Sequence, residues 1–418
     1  MIMHGTIKPE ESKITRKRLA KRDAILDEGA RLINARGAAC ARLSEIGSTL
    51  GLSRNSLYYY VKDQTDLVRQ CYARTCDTIE QNLDWVESQP VSADEKIGLF
   101  VHRILLPDHA QRAALADLAF LDEADRRDLE VRQKKHVDRL AKIIADGEAD
   151  GLFKPVPRQI TALAIFGMVD WVLLWSRWAF EDDDQMLQRL QDYYDAVMEF
   201  ILYGFVADRH SNFSCQIKFD DLVRSEFNVF DRGDTARLRR LRLLQAASME
   251  FNRKGVAGVS LEDIADAVGV TTGAMYHYFK DKAALIEACY ERAHFCYQRI
   301  SDAAHAMDCS PAVKLLTVFH VNCQAQVSSG APLIMHPGVI QLGSDYLEQS
   351  LEVGNRIKVT LAEGRAKGDI RAGSPLLTEV TPGAFFWIPK WRAKLKDLEI
   401  DSLPDRLTSV FGSGICAT

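Results

Sequence analysis

Two short stretches hold the residues whose types and spacing best suit binding chemistry. The first is Ser53, Arg54, Asn55, Ser56, Leu57, Tyr58, Tyr59, Tyr60, Val61 and Lys62. The second is Thr271, Thr272, Gly273, Ala274, Met275, Tyr276, His277, Tyr278, Phe279 and Lys280. Hydroxyl, guanidinium, phenol and ammonium groups donate hydrogen bonds to phosphate oxygens, and small or polar residues let a backbone approach a groove closely. The remaining polar residues offer little to catalysis. No phosphate-cradling glycine loop, nucleophile elbow or metal-spaced His/Cys cluster is present, and His102, His109, His136 and His320 stand isolated on predicted helices. The reading is therefore a binding protein and not an enzyme, with no cofactor and no metal.

The elements that must carry these stretches recur with them. Gly37 and Gly255 lie 218 positions apart, and the same offset relates Ile46 to Ile264, Gly51 to Gly269, Tyr58 to Tyr276, Lys62 to Lys280 and Leu67 to Leu285 without a gap. A repeat of that length governs the whole fold reading. In the first copy Leu19, Ile25, Leu26, Ala30, Leu32 and Ile33 recur at helical spacing from about Arg16 to Arg36, and Gly37 stops the helix. Leu241, Leu244, Ala247, Ser248 and Phe251 repeat the stripe before Gly255. Ser260-Leu-Glu-Asp263 predicts a capping box for a second helix, whereas Arg42 occupies the capping place in the first copy, where the helix is expected to begin less cleanly, near Ser44. Gly51 or Gly269 ends that helix in a tight turn, and Ser53 or Thr271 caps the third. Two short helices joined by a glycine turn make a helix-turn-helix, whose second helix presents its N-terminal residues to base edges.

Composition fits this picture once its distribution is considered. The 418 residues carry a formal net charge of −5, yet Lys13, Arg16, Lys17, Arg18, Lys21 and Arg22 crowd the start of the first copy, and Arg237, Arg239, Arg240 and Arg242 the start of the second. Glu181 to Asp184 lie outside both. The nine scattered cysteines lack C-x-x-C spacing and are expected as reduced thiols. The apolar run from Ile160 to Leu174 is interrupted by Asp170 and followed by Arg177, so it reads as a core helix and not a membrane span. A cytoplasmic protein without a membrane partner is expected.

At these residues the chain resembles the TetR-type bacterial transcriptional regulators, whose heads follow I-L-x-x-A, F-x-x-x-G and I-A-x-x-x-G-V-x-x-G-x-x-Y-x-Y-F-x-x-K-x-x-L. The second copy matches through Leu243, Leu244, Ala247, Phe251, Gly255, Ile264, Ala265, Gly269, Val270, Gly273, Tyr276, Tyr278, Phe279, Lys280, Lys282 and Leu285. The first departs at Gly47, Asn55, Val61 and Gln64. The resemblance implies an all-α fold of two fused units. Each has a helix-turn-helix head followed by a helical domain that binds a small hydrophobic effector, acyl-CoA-like by a weak similarity at Gly167 to Trp171, and supplies a dimer interface. Expected boundaries are 14–75 and 76–207 for the first unit, 208–233 for a linker, and 234–293 and 294–418 for the second.

Double-stranded operator DNA is the expected partner. Its expected contacts are Lys17, Arg18, Ser53, Arg54, Asn55, Ser56, Tyr58, Tyr59 and Lys62 in the first head. In the second they are Arg239, Thr271, Thr272, Gly273, Ala274, Tyr276, His277 and Lys280. The repeat reaches beyond the heads, pairing Gly147 with Gly364 and Gly167-x-x-x-Trp171-x-x-x-Trp175 with Gly383-x-x-x-Trp387-x-x-x-Trp391. Trp171, Trp175 and Trp178 share one helical face, as do Trp387 and Trp391, and are expected at an interface or effector pocket. Arg126, Arg127 and Lys134 are read as a solvated face ahead of an acidic-effector site. An intramolecular pseudo-dimer follows, with further pairing of chains left open. In the alternative reading one head has lost DNA binding and serves only as a scaffold.

Overall fold

The computed structural model describes residues 9–106, 111–179, 183–209, 213–224, 231–256, 258–336, 345–391 and 400–417. His109, Glu181 and Asp182 lie outside the described residues, as do the side chains of Lys13, Arg177, Asp183, Asp184 and Trp391. The chain runs through α1 (Pro9–Arg36), α2 (Leu43–Thr49), α3 (Arg54–Tyr58), α4 (Gln64–Ser88), α5 (Ala93–Leu105), α6 (Glu123–Ala149), α7 (Arg158–Ala179) and α8 (Asp183–Tyr203). A short α9 (Phe219–Leu222) lies in the connector. There follow α10 (Arg232–Lys254), α11 (Leu261–Val268), α12 (Thr272–Tyr278), α13 (Lys282–His305), α14 (Pro311–Val327), α15 (Asp345–Lys367), α16 (Leu377–Val380), α17 (Pro382–Phe386), α18 (Ile388–Trp391) and α19 (Leu403–Ser413).

Helices α1–α3 with the start of α4, and α10–α12 with the start of α13, each close over their own apolar core. Ile25, Leu26, Ile33, Ile46, Leu57, Val61 and Leu67 form one, and Leu244, Phe251, Ile264, Met275, Phe279 and Leu285 the other. The first helix starts earlier than its apolar stripe suggested, and Leu19 is 52% exposed, so the buried stripe begins at Ile25. The uncapped start of α2 falls at Leu43, with no side-chain bond from Arg42.

A larger core joins residues from both halves of the chain, including Phe100, Ile144, Met168 and Trp171 with Phe319, Leu377, Phe385 and Phe411. Helix α7 packs along α17, and α19 lies against α7 and α8. The segment Arg158–Ser176 is long and apolar enough to cross a membrane by length and composition, which corrects the reading that it falls short; 83% of it is buried inside the protein. Where α7 is continuous over 22 residues, residues 377–391 break into α16, α17 and α18. Pro382 and Pro389 lack the N–H that a continuous helix needs there.

The ends of the two halves cross reciprocally. Lys154 N–H donates to Ile415 O (2.9 Å) and Ala417 N–H to Leu152 O (2.8 Å); Arg371 N–H donates to Phe205 O (2.9 Å) and Ala207 N–H to Asp369 O (3.0 Å). The bridges Phe153 to Cys416 and Val206 to Ile370 result. Gly204 (φ 66°) and Gly414 (φ 69°) turn the chain into this crossing and face each other's backbone.

Candidate nucleic-acid interface

Gly51 (φ 61°) and Gly269 (φ 68°) set the turn between the second and third helices, and a methyl group at either would meet nothing within 4 Å. Glycine is required there by backbone conformation and not by space. Ser53 Oγ accepts the Ser56 N–H at 3.3 Å, and Thr271 Oγ1 the Ala274 N–H at 3.2 Å. These caps fix α3 and α12 at their N-termini, while Leu57 and Val61, or Met275 and Phe279, pin their inner faces.

The opposite faces are left in solvent. Ser53, Arg54, Asn55, Tyr58, Tyr59 and Lys62 are exposed in the first head, with Ser56 half-buried. Thr271, Gly273, Tyr276, His277 and Lys280 are exposed in the second, with Thr272 and Ala274 half-buried. Tyr59 at 60% and Tyr276 at 53% are large aromatic side chains standing in water, which suits a phenol that donates to phosphate. Arg18 lies over the Tyr59 ring at 4.7 Å and Arg54 over Tyr58 at 5.4 Å, so two guanidinium groups are held beside α3. Lys17 and Arg239 are exposed on α1 and α10. Arg240, absent from the sequence-derived contacts, sits over Phe279 at 5.4 Å; its place in the basic cluster at the start of α10 was the available signal.

Helix α11 carries the full capping box. Asp263 N–H donates to Ser260 Oγ at 3.0 Å, and Ser260 N–H to Asp263 Oδ2 at 2.7 Å. The Ser260 N–H and the Ser260 O–H, which also donates to Oδ2 at 2.7 Å, hold the Asp263 carboxyl below its usual range. In the first head Arg42 already has the extended conformation of a cap (φ −79°, ψ 132°), with Glu45 three residues on. Ser260→Ala is expected to destabilise the protein by about 1 kcal/mol, and Arg42→Ser to stabilise it by about 0.5–1 kcal/mol. Chemical denaturation of both variants checks the opposite signs.

In each head a buried asparagine binds the backbone of an extended segment further along the same half. Asn34 Nδ2 donates to Arg112 O (2.8 Å) and its Oδ1 accepts the Ala114 N–H (2.9 Å). Asn252 treats Pro332 O (2.8 Å) and the Ile334 N–H (2.9 Å) in the same way. Asp117 touches both heads: it accepts the Ala38 N–H at 3.1 Å and fills the space beside Gly255. Burial pushes its carboxyl above the usual range, with the Lys390 charge acting the other way.

Beside the first tie lies a small cavity of about 50 Å³, lined by Asn34, Thr78, Arg103, Leu106, Arg112 and Leu190 among others. Arg112 Nη1 binds Asp170 Oδ1 at 2.8 Å, with both side chains buried, and its Nε and Nη2 have no hydrogen-bond partner among the described residues. The pair was missed in the sequence, although the charge of Asp170 within an apolar helix demanded a partner.

The tryptophans are not among the residues lining this pocket. Trp171 and Trp175 stack at 5.8 Å, and Trp178 meets Trp171 edge-on. Trp171 Nε1 donates to Glu379 O (2.7 Å), and Trp175 Nε1 to Tyr193 Oη (3.1 Å) and Glu379 Oε2 (3.2 Å). Lys358 pairs with the other Glu379 oxygen at 2.8 Å. Burial raises the Glu379 carboxyl, but Lys358, Tyr193 and Trp175 outweigh it and hold the group below its ordinary value. Trp387 is buried in the same core. Arg127 and Lys134 pair with Glu123 and Asp138 along the exposed face of α6.

Comparison with known proteins adds to this geometry. Residues 243–289 match the model for bacterial regulatory proteins of the tetR family, and residues 91–179 that for a tetracyclin repressor-like C-terminal domain. The first of these matches thus falls in the second half of the chain and the other in the first half. The chain is 35% identical over 75 residues to the HTH-type transcriptional regulator TtgR of Pseudomonas putida, covering 18% of this chain and 36% of that one. It is 29% identical over 143 residues to the HTH-type transcriptional repressor KstR2 of Mycolicibacterium smegmatis, covering 32% and 68%. The match to BetI of Paraburkholderia xenovorans is 32% over 94 residues, covering 22% and 48%. The chain therefore spans about a third of the length of TtgR and about half of that of BetI. Among solved structures, AibR in complex with isovaleryl coenzyme A and operator DNA aligns at 24% identity and TM-score 0.33, over 40% of this chain and 94% of that one.

Proposed function

We propose that this chain is a DNA-binding transcriptional regulator, a repressor whose two non-identical heads read one asymmetric operator and whose hold is relieved by a small hydrophobic effector. In this reading residues 14–75 and 234–293 are the heads, 76–207 and 294–418 the bodies, and 208–233 the connector. The observation that carries it is the recurrence of one exposed surface on one buried scaffold: Ser53, Tyr58 and Lys62 over Leu57 and Val61, and Thr271, Tyr276 and Lys280 over Met275 and Phe279. The reciprocal crossing of the two halves supports an intramolecular pair, since a two-fold contact repeats each interaction with roles exchanged. Positions that face bases have diverged, Arg54 and Asn55 against Thr272 and Gly273, so the preferred half-sites differ. A ligand can regulate such a pair only by favouring one head arrangement over another, and Asn34 ties the first head to the pocket wall.

A second reading, in which only the second head binds DNA, is favoured by the five-residue α3, the uncapped α2 and the match of residues 243–289 to the tetR-family model. Footprinting on DNA flanking the encoding gene decides between them. Lys280→Ala and Lys62→Ala are each expected to shrink or weaken one side of the footprint and to lower the salt slope of binding by about 1. If Lys62→Ala together with Arg54→Ala changes neither footprint nor affinity, the first head is a scaffold. If the unmodified chain protects no site at low salt, the regulator reading fails, because phosphate contacts give salt-sensitive association with any duplex.

A further inference from the structure

One short segment of the first half reaches both heads. Its backbone is held to the first, where Ala113 N–H donates to Thr75 Oγ1 at 3.1 Å and the Thr75 hydroxyl donates to Ala113 O at 3.0 Å, beside the Asn34 bonds. Ala113, Leu115 and Leu121 belong to that head's apolar core. The residues between Leu115 and Leu121 meet the second head. A methyl group at Gly258 would fall 3.0 Å from the Ala119 Cβ, and one at Gly255 2.1 Å from Asp117 Oδ1, so the carboxylate lies against the Gly255 backbone. Lys390, on α18 beside α10, donates to Ala116 O.

The two contacts of Asp117 fall at matching places. Its Oδ2 accepts the N–H of Ala38, the residue after the Gly37 stop of α1, while its Oδ1 faces Gly255, the stop of α10. Gly37 and Gly255 are related by the repeat itself. One carboxylate thus joins equivalent points of the two heads. The second half has no copy of it in sequence, because the step of 220 that carries Arg112 and Ala114 onto Pro332 and Ile334 carries Asp117 onto Pro337.

We propose that Asp117 is a positioning residue that fixes the placement of the two heads relative to each other, and with it the half-site spacing that the chain accepts on DNA. The spacing rests on the reading of both heads as DNA-binding; the placement itself does not. Both neighbours of the carboxylate are backbone at helix ends, which move only with their helices, so a shift of either head is felt at the other through one side chain. Each base pair added between half-sites moves one of them by about 3.4 Å and turns it by about 35°. A contact of hydrogen-bond length does not stretch so far.

Two measurements on the full chain test this. In the first, affinity is compared between the duplex that the unmodified chain protects and the same duplex with two base pairs inserted between the half-sites. The unmodified chain is expected to bind the inserted duplex at least tenfold more weakly, and Asp117→Ala to cut that preference to threefold or less. A side chain that merely stabilised the fold would lower affinity for both duplexes alike and leave their ratio unchanged. In the second, hydrogen exchange at residues 37–40 is followed without DNA. Gly255→Ala, which displaces the carboxylate from the second head, is expected to speed exchange of the Ala38 amide in the first at least tenfold. Gly269→Ala is the control: it carries a similar left-handed backbone penalty in the same head, φ 68° against 81°, but meets nothing within 4 Å. It is expected to leave the Ala38 amide unchanged. Circular dichroism melts confirm that each variant is folded; Asp117→Ser replaces Asp117→Ala, and Gly258→Ala replaces Gly255→Ala, where one is not. An unmodified chain indifferent to the insertion, a tenfold preference surviving without Asp117, or an Ala38 amide that ignores Gly255→Ala or responds equally to Gly269→Ala would each overturn the proposal. If the unmodified chain protects no duplex, the regulator reading fails, and exchange at Ala38 alone decides whether Asp117 places the heads.

Discussion

Gly204→Ala is expected to cost the protein several times the stability lost in Gly151→Ala, although the two glycines have nearly the same backbone conformation. Gly204 has φ 66° and Gly151 φ 73°, so each alanine meets about 1–2 kcal/mol of left-handed backbone penalty. At Gly151 an added methyl group meets nothing within 4 Å, and the cost ends there. At Gly204 it falls 2.5 Å from the Gly414 nitrogen and closer still to the Gly412 carbonyl. Those are backbone atoms that cannot rotate aside. Making room must move the two chain ends apart and weaken the bonds from the Phe205 and Val206 N–H groups to Gly412 O, both 3.0 Å. The total is about 3–5 kcal/mol. Urea denaturation of the pair measures the difference, and equal losses would mean that the crossing closes without this approach.

Arg112→Leu is the other large effect. It removes the guanidinium paired with the buried Asp170 carboxylate, a loss of about 3–5 kcal/mol, partly offset because two buried donors with no partner among the described residues leave with the side chain. Burial already holds the Asp170 carboxyl above its usual range, with Arg112 pulling it back. Without Arg112 it rises further. A carboxyl raised in the folded state lends stability below its unfolded value, near 4, and that stability is lost as pH rises through the folded value. The deficit of Arg112→Leu is therefore expected to be smallest in acid and to grow toward neutral pH. Adding Asp170→Asn should flatten the profile. A deficit constant between pH 5 and pH 8 would rule out the buried carboxylate as its source.

What the sequence made legible was local. Glycine turns, the Ser260–Asp263 box, the Ser53 and Thr271 caps and the buried stripes of α1 and α10 depend on neighbours within a few positions, so spacing was enough. Leu19 shows the limit, since a helical period places a residue on a face without saying how far the partner surface extends. The tryptophan stripe on α7 was visible, but its partner Glu379 lies about two hundred positions away and has Leu163, not an acid, at the corresponding place of the first half. The repeat thus concealed the asymmetry it helped to find. Asp117, Arg112 and Phe219 escaped for the same reason: each draws its role from groups brought together only by folding. The connector in particular read only as a linker, and the place of Phe219 within it is set by Gln324, which accepts its N–H.

The reciprocal crossing of residues 204–207 and 414–417 joins parts of a single covalent chain. Two separate polypeptides meeting through such a surface would come apart on dilution, and their melting temperature would follow protein concentration. Here both partners of every contact are present at fixed stoichiometry in each molecule, so opening the crossing is a first-order event. Diluting the protein removes molecules from solution but leaves each pair of halves as tightly matched as before.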